Sequence, residues 1–344
     1  MKEKDLSSLN IRTDLVKDII PNLTDTSVID ETIYEEGKVK VSNIVLDSKS
    51  SKIIGKKEGN YTTIFFDDIT DTSNFELVKN IFIKELSKII DKLNIKKDYS
   101  CMIVGLGNSK STPDSLGTKV TEKIIVTKHI LDYYGFLEKG YKCTTCFSPG
   151  VKGTTGIETS DILLSLIDIV NPDFLIVIDA LASDSIDRVC KTIQLTDAGI
   201  NPGSGIGNER KEISKKTVNR PVIAVGVPMV VDAVTIVSDT IDYMEKHFSY
   251  NIKNFNNSTN KFIPLSMQNY LKGNDLTLTS NEKTYFFGKI GNLNSNEKKS
   301  LIFDVLTPIG NNLMVTPKEV DFLIDKLSEL ISKGINNTIH KIKI

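Results

Sequence analysis

The chain has little of what most often announces a chemistry. It holds four cysteines and three histidines in 344 residues, and no apolar run approaches the ~20 residues of a membrane span. With three histidines few Ser-His-Asp arrangements can be built, and none stands out. The four thiols, Cys101, Cys143, Cys146 and Cys190, fit a reducing interior better than a disulfide framework. An excess of charge is missing too. A formal charge of −1 and a pI near 6.4 argue against a chain built to coat nucleic acid or an anionic membrane. The opening "MKEKDLSSLNIRTDLVKD" lacks the apolar core of a signal peptide, so the chain is expected to stay where it is made.

What is present is a core. The length suits one large domain or two ordinary ones, and 40% hydrophobic residues suffice to fill it. "KVKVSNIVLD" and "NYTTIFFDDI" alternate or run apolar, as strands do, whereas "SNFELVKNIFIKELSKIIDKLNI" repeats apolar residues at three and four. The order continues with a strand at 101–105, a helix at 115–134, a strand near 143–147, a helix at 158–170 and a strand at 174–179. "RPVIAVGVP" then reads as a buried strand and "MVVDAVTIVSDTIDYMEKHF" as a long helix. Such alternation predicts an α/β protein with a mainly parallel central sheet covered on both faces, in three layers. Residues 250–299, rich in Asn, Ser and Lys, read as an irregular arm. Thr316 and Pro317 are expected to open the last helix as N-cap and first turn.

Two acids lie at predicted strand exits, Asp114 in "GLGNSKSTPDSLG" and Asp179 in "DFLIVIDALAS". Ligands of open α/β sheets bind at the carboxyl ends of the strands. Neighbouring carboxylates resist ionising together, so that one holds a proton while the other acts as a base; such a pair can activate water against an amide. The bland reading makes each acid a helix cap. "GLGN" and "GSGIGN" miss the G-x-G-x-x-G spacing, with Lys110 and Arg210 at the third glycine position, and no Walker motif is present. "CTTC", Cys143 to Cys146, has no second pair and no histidine at ligand spacing, so packing is a simpler reading than metal or redox. His129, in "VTKHIL" on the predicted helix after Asp114, could be a ligand or a base, though a lone helix histidine is more often structural; His247 and His340 have still less context.

Collected in order, "IRTDLV", "GLGNSKSTPDSLG", "VTKH", "SPGVKGTTGIETSDIL", "VIDALAS", "TIQLTDAGINPGSGIGNER", "PVIAVGVPMVVDAVT" and "LMVTPKEVD" resemble the germination protease family, spore endopeptidases that degrade small acid-soluble DNA-coating proteins. The resemblance implies a fold akin to that of hydrogenase-maturation proteases and catalytic aspartates at Asp114 and Asp179, with neither cofactor nor metal. It further implies a zymogen whose propeptide, residues 1–14, is removed by a self-cut between Asp14 and Leu15, leaving a single α/β domain from 15 to 344. Val16 stands where the family usually has alanine. Cleavage after Glu or Asp calls for cationic readers, and Lys110, Lys152 and Arg210 are candidates. The implied partners are the spore proteins as substrates and three further copies in a homotetramer, with no direct nucleic-acid or membrane contact, in the cytoplasm of forespore and spore core. Two alternatives stay open: a metal-dependent maturation peptidase and a non-catalytic peptide-binding module.

Overall fold

The computed structural model describes residues 13–20, 29–203, 211–254, 277–306 and 313–341. In chain order the elements are α1 (Val16–Ile19), β1 (Asp30–Glu36), β2 (Val39–Leu46), α2 (Ser48–Ile54), β3 (Gly59–Phe65), α3 (Thr72–Lys92), β4 (Ser100–Gly105), α4 (Leu116–Thr121), α5 (Lys128–Tyr134), β5 (Cys143–Phe147), α6 (Lys152–Thr155), α7 (Thr159–Val170), β6 (Phe174–Ser183), β7 (Thr192–Thr196), α8 (Lys215–Val218), β8 (Val222–Asp232), α9 (Ala233–Asn254), α10 (Ser280–Phe287), α11 (Ser295–Leu306), β9 (Met314–Val315) and α12 (Val320–His340). They divide into two compact units, Arg12–Val230 with Thr316–Ile344, and one built on Val231–Val315.

In the larger unit the strands run in the order β1-β2-β3-β7-β8-β6-β4-β5. β4 pairs in parallel with both β5 and β6. Beyond β8, antiparallel pairing through β7, β3, β2 and β1 widens the sheet. The α/β class and its layers are as predicted. On one face Met102, Val104, Leu175 and Val177 pack on Leu163 and Ile167 of α7. Each such buried aliphatic contributes about 1.5–3 kcal/mol relative to exposure. α7 stops where Asn171 turns left-handed (φ 49°) ahead of Pro172. On the other face α4 lies against β4 and β6, and α12 packs on α3 and α4.

Local expectations gave way in several places. The single helix predicted over 115–134 is two helices, because residues between them are held by neighbours instead of by an i→i−4 ladder. Thr127 Oγ1 donates to the Lys142 carbonyl (2.5 Å) and accepts from the Thr144 amide (2.9 Å). Asn336 of α12 accepts from the Ile125 amide and donates to the Lys123 carbonyl, each at 3.0 Å. The β-branched run Ile124 to Thr127 suits that extended path. β8 continues to Asp232, past its predicted end, and α9 begins only where Asp232 Oδ1 accepts from the Val234 amide (2.7 Å). Thr316 is no N-cap: its hydroxyl donates to the Met229 carbonyl (2.9 Å), and the last helix starts at Val320. The central strand β7 was not anticipated.

The arm expected at 250–299 is corrected as well. Residues 255–276 lie outside the described residues, but α10 and α11 are helical and belong to the smaller unit, where a single domain was expected. Their starts carry reciprocal caps. Thr279 and Glu282 form a capping box, and Asn294 Oδ1 and Glu297 Oε2 each accept from the other's amide at 2.9 Å. Within that unit Lys283 pairs with Glu245 and Lys298 with Asp242, both at 2.6 Å, and Phe248 stacks on Phe286 with centroids 4.7 Å apart. The last two residues of β8 pair antiparallel with β9, Val231 with Val315 and Asp232 with Met314.

Candidate active site

Parallel pairing between β4 and β6 ends at Gly105 opposite Ile178, and the Leu106 amide closes it on the Ile178 carbonyl at 2.8 Å. Asp179 is the next residue of β6. It is buried, with Oδ1 accepting from the Ala180 amide (3.0 Å), and its strand continues to Ser183, so it caps no helix. On the neighbouring strand the chain leaves β4 through Gly107, whose φ of +108° only glycine adopts readily. It then loops back through a 3-10 turn, Thr112–Asp114, in which the Asp114 carbonyl accepts from the Asn108 amide at 3.0 Å. A Cβ on Gly107 would lie 1.9 Å from that carbonyl oxygen and 3.1 Å from Asp114 Oδ1. Asp114 is half-buried. The cap position of α4 falls to Ser115.

One contact ties the two strand exits together. Gly117, at the start of α4, has no side chain between its backbone and the sheet; a Cβ there would stand 2.3 Å from Leu106 O and 2.7 Å from Ile178 O. The turn holding Asp114 is thereby seated on the strand ends, beside the residue that precedes Asp179.

The basic candidates fare unequally. Lys110 is exposed on the same loop as Asp114, its amide donating to Asn108 Oδ1 at 3.0 Å. Lys152 is exposed and paired with Glu158 at 3.3 Å. Arg210 lies outside the described residues, as does most of "GSGIGN". His129 is exposed on α5. Cys143 and Cys146 stand three apart on β5 and therefore point to opposite faces. Burial pushes both thiols up, Cys146 to about 12, which disfavours the thiolate that redox chemistry needs. Among the described residues no group of three or more His, Cys, Asp and Glu side chains is placed to hold a metal ion.

Asp14 and Leu15 are held in the larger unit by several hydrogen bonds. The Asp14 amide donates to the Ala182 carbonyl (3.1 Å), and the Ala182 amide donates to Asp14 Oδ2 (3.0 Å). Gln194 Nε2 donates to the Asp14 carbonyl at 3.4 Å, and Lys56 Nζ to that of Thr13 at 2.9 Å. A cavity of about 410 Å³ opens there, lined by Asp14, Lys56, Tyr61, Leu181 and Gln194 among others. Burial lowers the Lys56 pKa, and the Asp14 carboxylate opposes that shift. Sequence reasoning missed Lys56 and Gln194. One is half of an ordinary Lys-Lys pair after a helix and the other sits in a strand that carried no signal.

The family model for germination protease matches residues 15–343. A germination protease of Bacillus licheniformis is 45% identical, the match covering 99% of this chain and 96% of the relative. One from Priestia megaterium is 44% identical over 98% of this chain and 96% of its own length. Among solved structures there is a faint likeness to the NiFe hydrogenase maturation protease HycI from Thermococcus kodakarensis KOD1, with 14% identity and a TM-score of 0.28, covering 42% of this chain and 80% of that one. By family model and by full-length identity, the chain belongs to the germination protease family.

Proposed function

We propose that this protease is an aspartic-type endopeptidase in which Asp114 and Asp179 activate water against peptide bonds that follow an acidic residue and precede an apolar one. The observation that carries the reading is the placement of both carboxylates at the exits of the adjacent parallel strands β4 and β6, with Gly117 seated between them on Leu106 and Ile178. One acid holds a proton and the other draws a proton from water; the leaving nitrogen is protonated in turn. As a coupled pair they titrate together.

The substrates are the small acid-soluble spore proteins, and the same chemistry removes residues 1–14 by a self-cut between Asp14 and Leu15. Its support is the Asp-Leu sequence itself and the seating of Asp14 on Ala182, three residues along the strand from Asp179. Of the two described basic candidates, Lys110 is exposed on the Asp114 loop and is assigned to read the acidic side chain, whereas Lys152 is engaged by Glu158. The protein acts in the forespore and spore core as a homotetramer.

Asp114→Asn and Asp179→Asn should each abolish self-processing and spore-protein cleavage while circular dichroism and the urea midpoint stay near wild type. A folded variant that still cuts at the normal rate would remove that residue from the mechanism. Activity that survives a strong chelator is expected; its loss, with return on adding a divalent ion, would replace the two-acid mechanism by a metal-assisted one.

A further inference from the structure

A cut between Asp14 and Leu15 would create an α-ammonium group inside the protein. Leu15 and Val16 have no exposed surface, and the Val16 amide donates to Gln194 Oε1 at 3.1 Å, so the new terminus stays where it is made. A buried ammonium requires an anionic partner. In the uncut chain the Leu15 amide donates to Thr13 Oγ1 at 3.1 Å, and that hydroxyl donates to Oδ2 of the buried Asp18. A single hydroxyl thus stands between the Leu15 nitrogen and a carboxylate, and Thr13 leaves with the excised segment.

Asp18 is also bound to the strand that carries Asp179. Its Oδ2 accepts from Ser183 Oγ at 3.1 Å and from the Asp184 amide at 2.8 Å, where β6 ends, while its Oδ1 meets the Arg188 guanidinium. From this arrangement we infer that Asp18 is the seat of the Leu15 α-ammonium after processing. The inference rests on the self-cut proposed above. Water adds across the Asp14–Leu15 bond, its hydroxyl going to the Asp14 carbonyl carbon and a proton to the Leu15 nitrogen, which takes a further proton from solvent. The ammonium then replaces the Thr13 hydroxyl on Oδ2. The charged groups facing it are Asp18 on α1, Arg188 and Asp184 beyond β6, and Lys56 after α2; Lys17, its neighbour on α1, is paired with Glu31. Arg188 occupies the other oxygen and is partly exposed. A neutral donor to the carboxylate that fastens the end of β6 becomes a charged one, and Asp18 becomes a positioning residue for the strand of Asp179.

The test titrates the Leu15 α-amine in folded, cut chain by its rate of carbamylation with cyanate against pH, read by mass spectrometry. The chain cuts itself at mildly acidic pH or, should it not, is cut by an added protease whose recognition sequence replaces residues 9–14. Failure of the first route counts against the self-cut, and the second still tests Asp18. The half-maximal rate should fall about one unit or more above the ~7.7–8.0 of a free amino terminus. In Asp18→Asn it should fall below that range, with kcat on added substrate down about tenfold at unchanged KM, the loss expected when about one unit of favourable charge interaction is withdrawn. Thr13→Val should lower the urea midpoint of the uncut chain and leave the cut chain's rate unchanged. A wild-type titration at or below the free-terminus value would overturn the assignment even if no Asp18 variant folds.

Discussion

Gly117 shows how much of the candidate site depends on an absent side chain. Its backbone lies where a Cβ would be 2.3 Å from Leu106 O, 2.5 Å from Leu106 N and 2.7 Å from Ile178 O, all main-chain atoms at the exit of β4 and in β6 just before Asp179. Neither strand can retreat without breaking the Leu106 to Ile178 hydrogen bond, so α4 must move instead. Gly117→Ala is expected to lose about 1–3 kcal/mol by urea unfolding, the range for overpacking a filled site. Its cleavage rate should fall further than the unfolded fraction explains, since the turn holding Asp114 moves with the helix. Gly153→Ala on α6 is the control, because nothing lies within 4 Å of its added Cβ. A Gly117→Ala enzyme of normal stability and rate would show that α4 does not set the position of Asp114.

The element scale turns on α12, which closes over β5 and the link between α4 and α5. His340 at its end has no exposed surface. Its Nδ1 accepts from the Lys142 amide (3.2 Å), so Nε2, 3.1 Å from the Ile125 carbonyl, carries the proton and donates. This is a neutral imidazole; burial lowers its pKa, and the hydrogen bond to Ile125 only partly opposes that. Because the folded value lies below the unfolded one, its contribution to stability is complete above the unfolded pKa. It is lost as pH falls from about 6.5 toward the folded value, at no more than about 1.4 kcal/mol per pH unit. Urea midpoints measured from pH 7.5 to 5 should therefore drop faster for wild type than for His340→Gln; parallel curves would mean that the imidazole takes up its proton in the fold as readily as in the unfolded chain.

Several elements were legible from pattern alone. Continuous apolar runs marked β4, β6 and β8, and the spacing of Leu163 and Ile167 marked α7, because burial on a sheet selects for those patterns. The junction at 122–127 was hidden, since the bonds that fix it come from Asn336 and Lys142, far along the chain, and its β-branched run is only a weak local sign. Helices α10 and α11 of the smaller unit were hidden for another reason: their apolar periodicity is weak, and the signals they do carry are the capping pairs Thr279 with Glu282 and Asn294 with Glu297. As for the site, the strand exits announced Asp114 and Asp179. Nothing local announces Asp18, whose significance comes from residues 165 and 166 positions further along the chain, Ser183 and Asp184.

The processing proposed above would be nearly invisible to long-range electrostatics across the whole molecule. Residues 1–14 carry Lys2, Lys4 and Arg12 against Glu3, Asp5 and Asp14, so their removal would leave the formal charge at −1. Leu15 and Val16 are buried in the intact chain, and the core around Val16, Ile20, Ile44 and Tyr61 includes no residue of 1–14, so the cut would take no member from it. A change of activity on cutting must then come from local groups, the β6 end above all, since net charge sets solubility and steering but not the fold. The full and the cut chain should focus at the same pH and elute alike from an ion exchanger, while mass spectrometry shows the loss of residues 1–14. The homotetramer proposed above should persist as well, with light scattering of both forms giving about four times the chain mass, 38.2 kDa before the cut. Should the cut chain fall apart into single subunits, or activate only as its assembly changes, the switch would lie between subunits and not at Asp18.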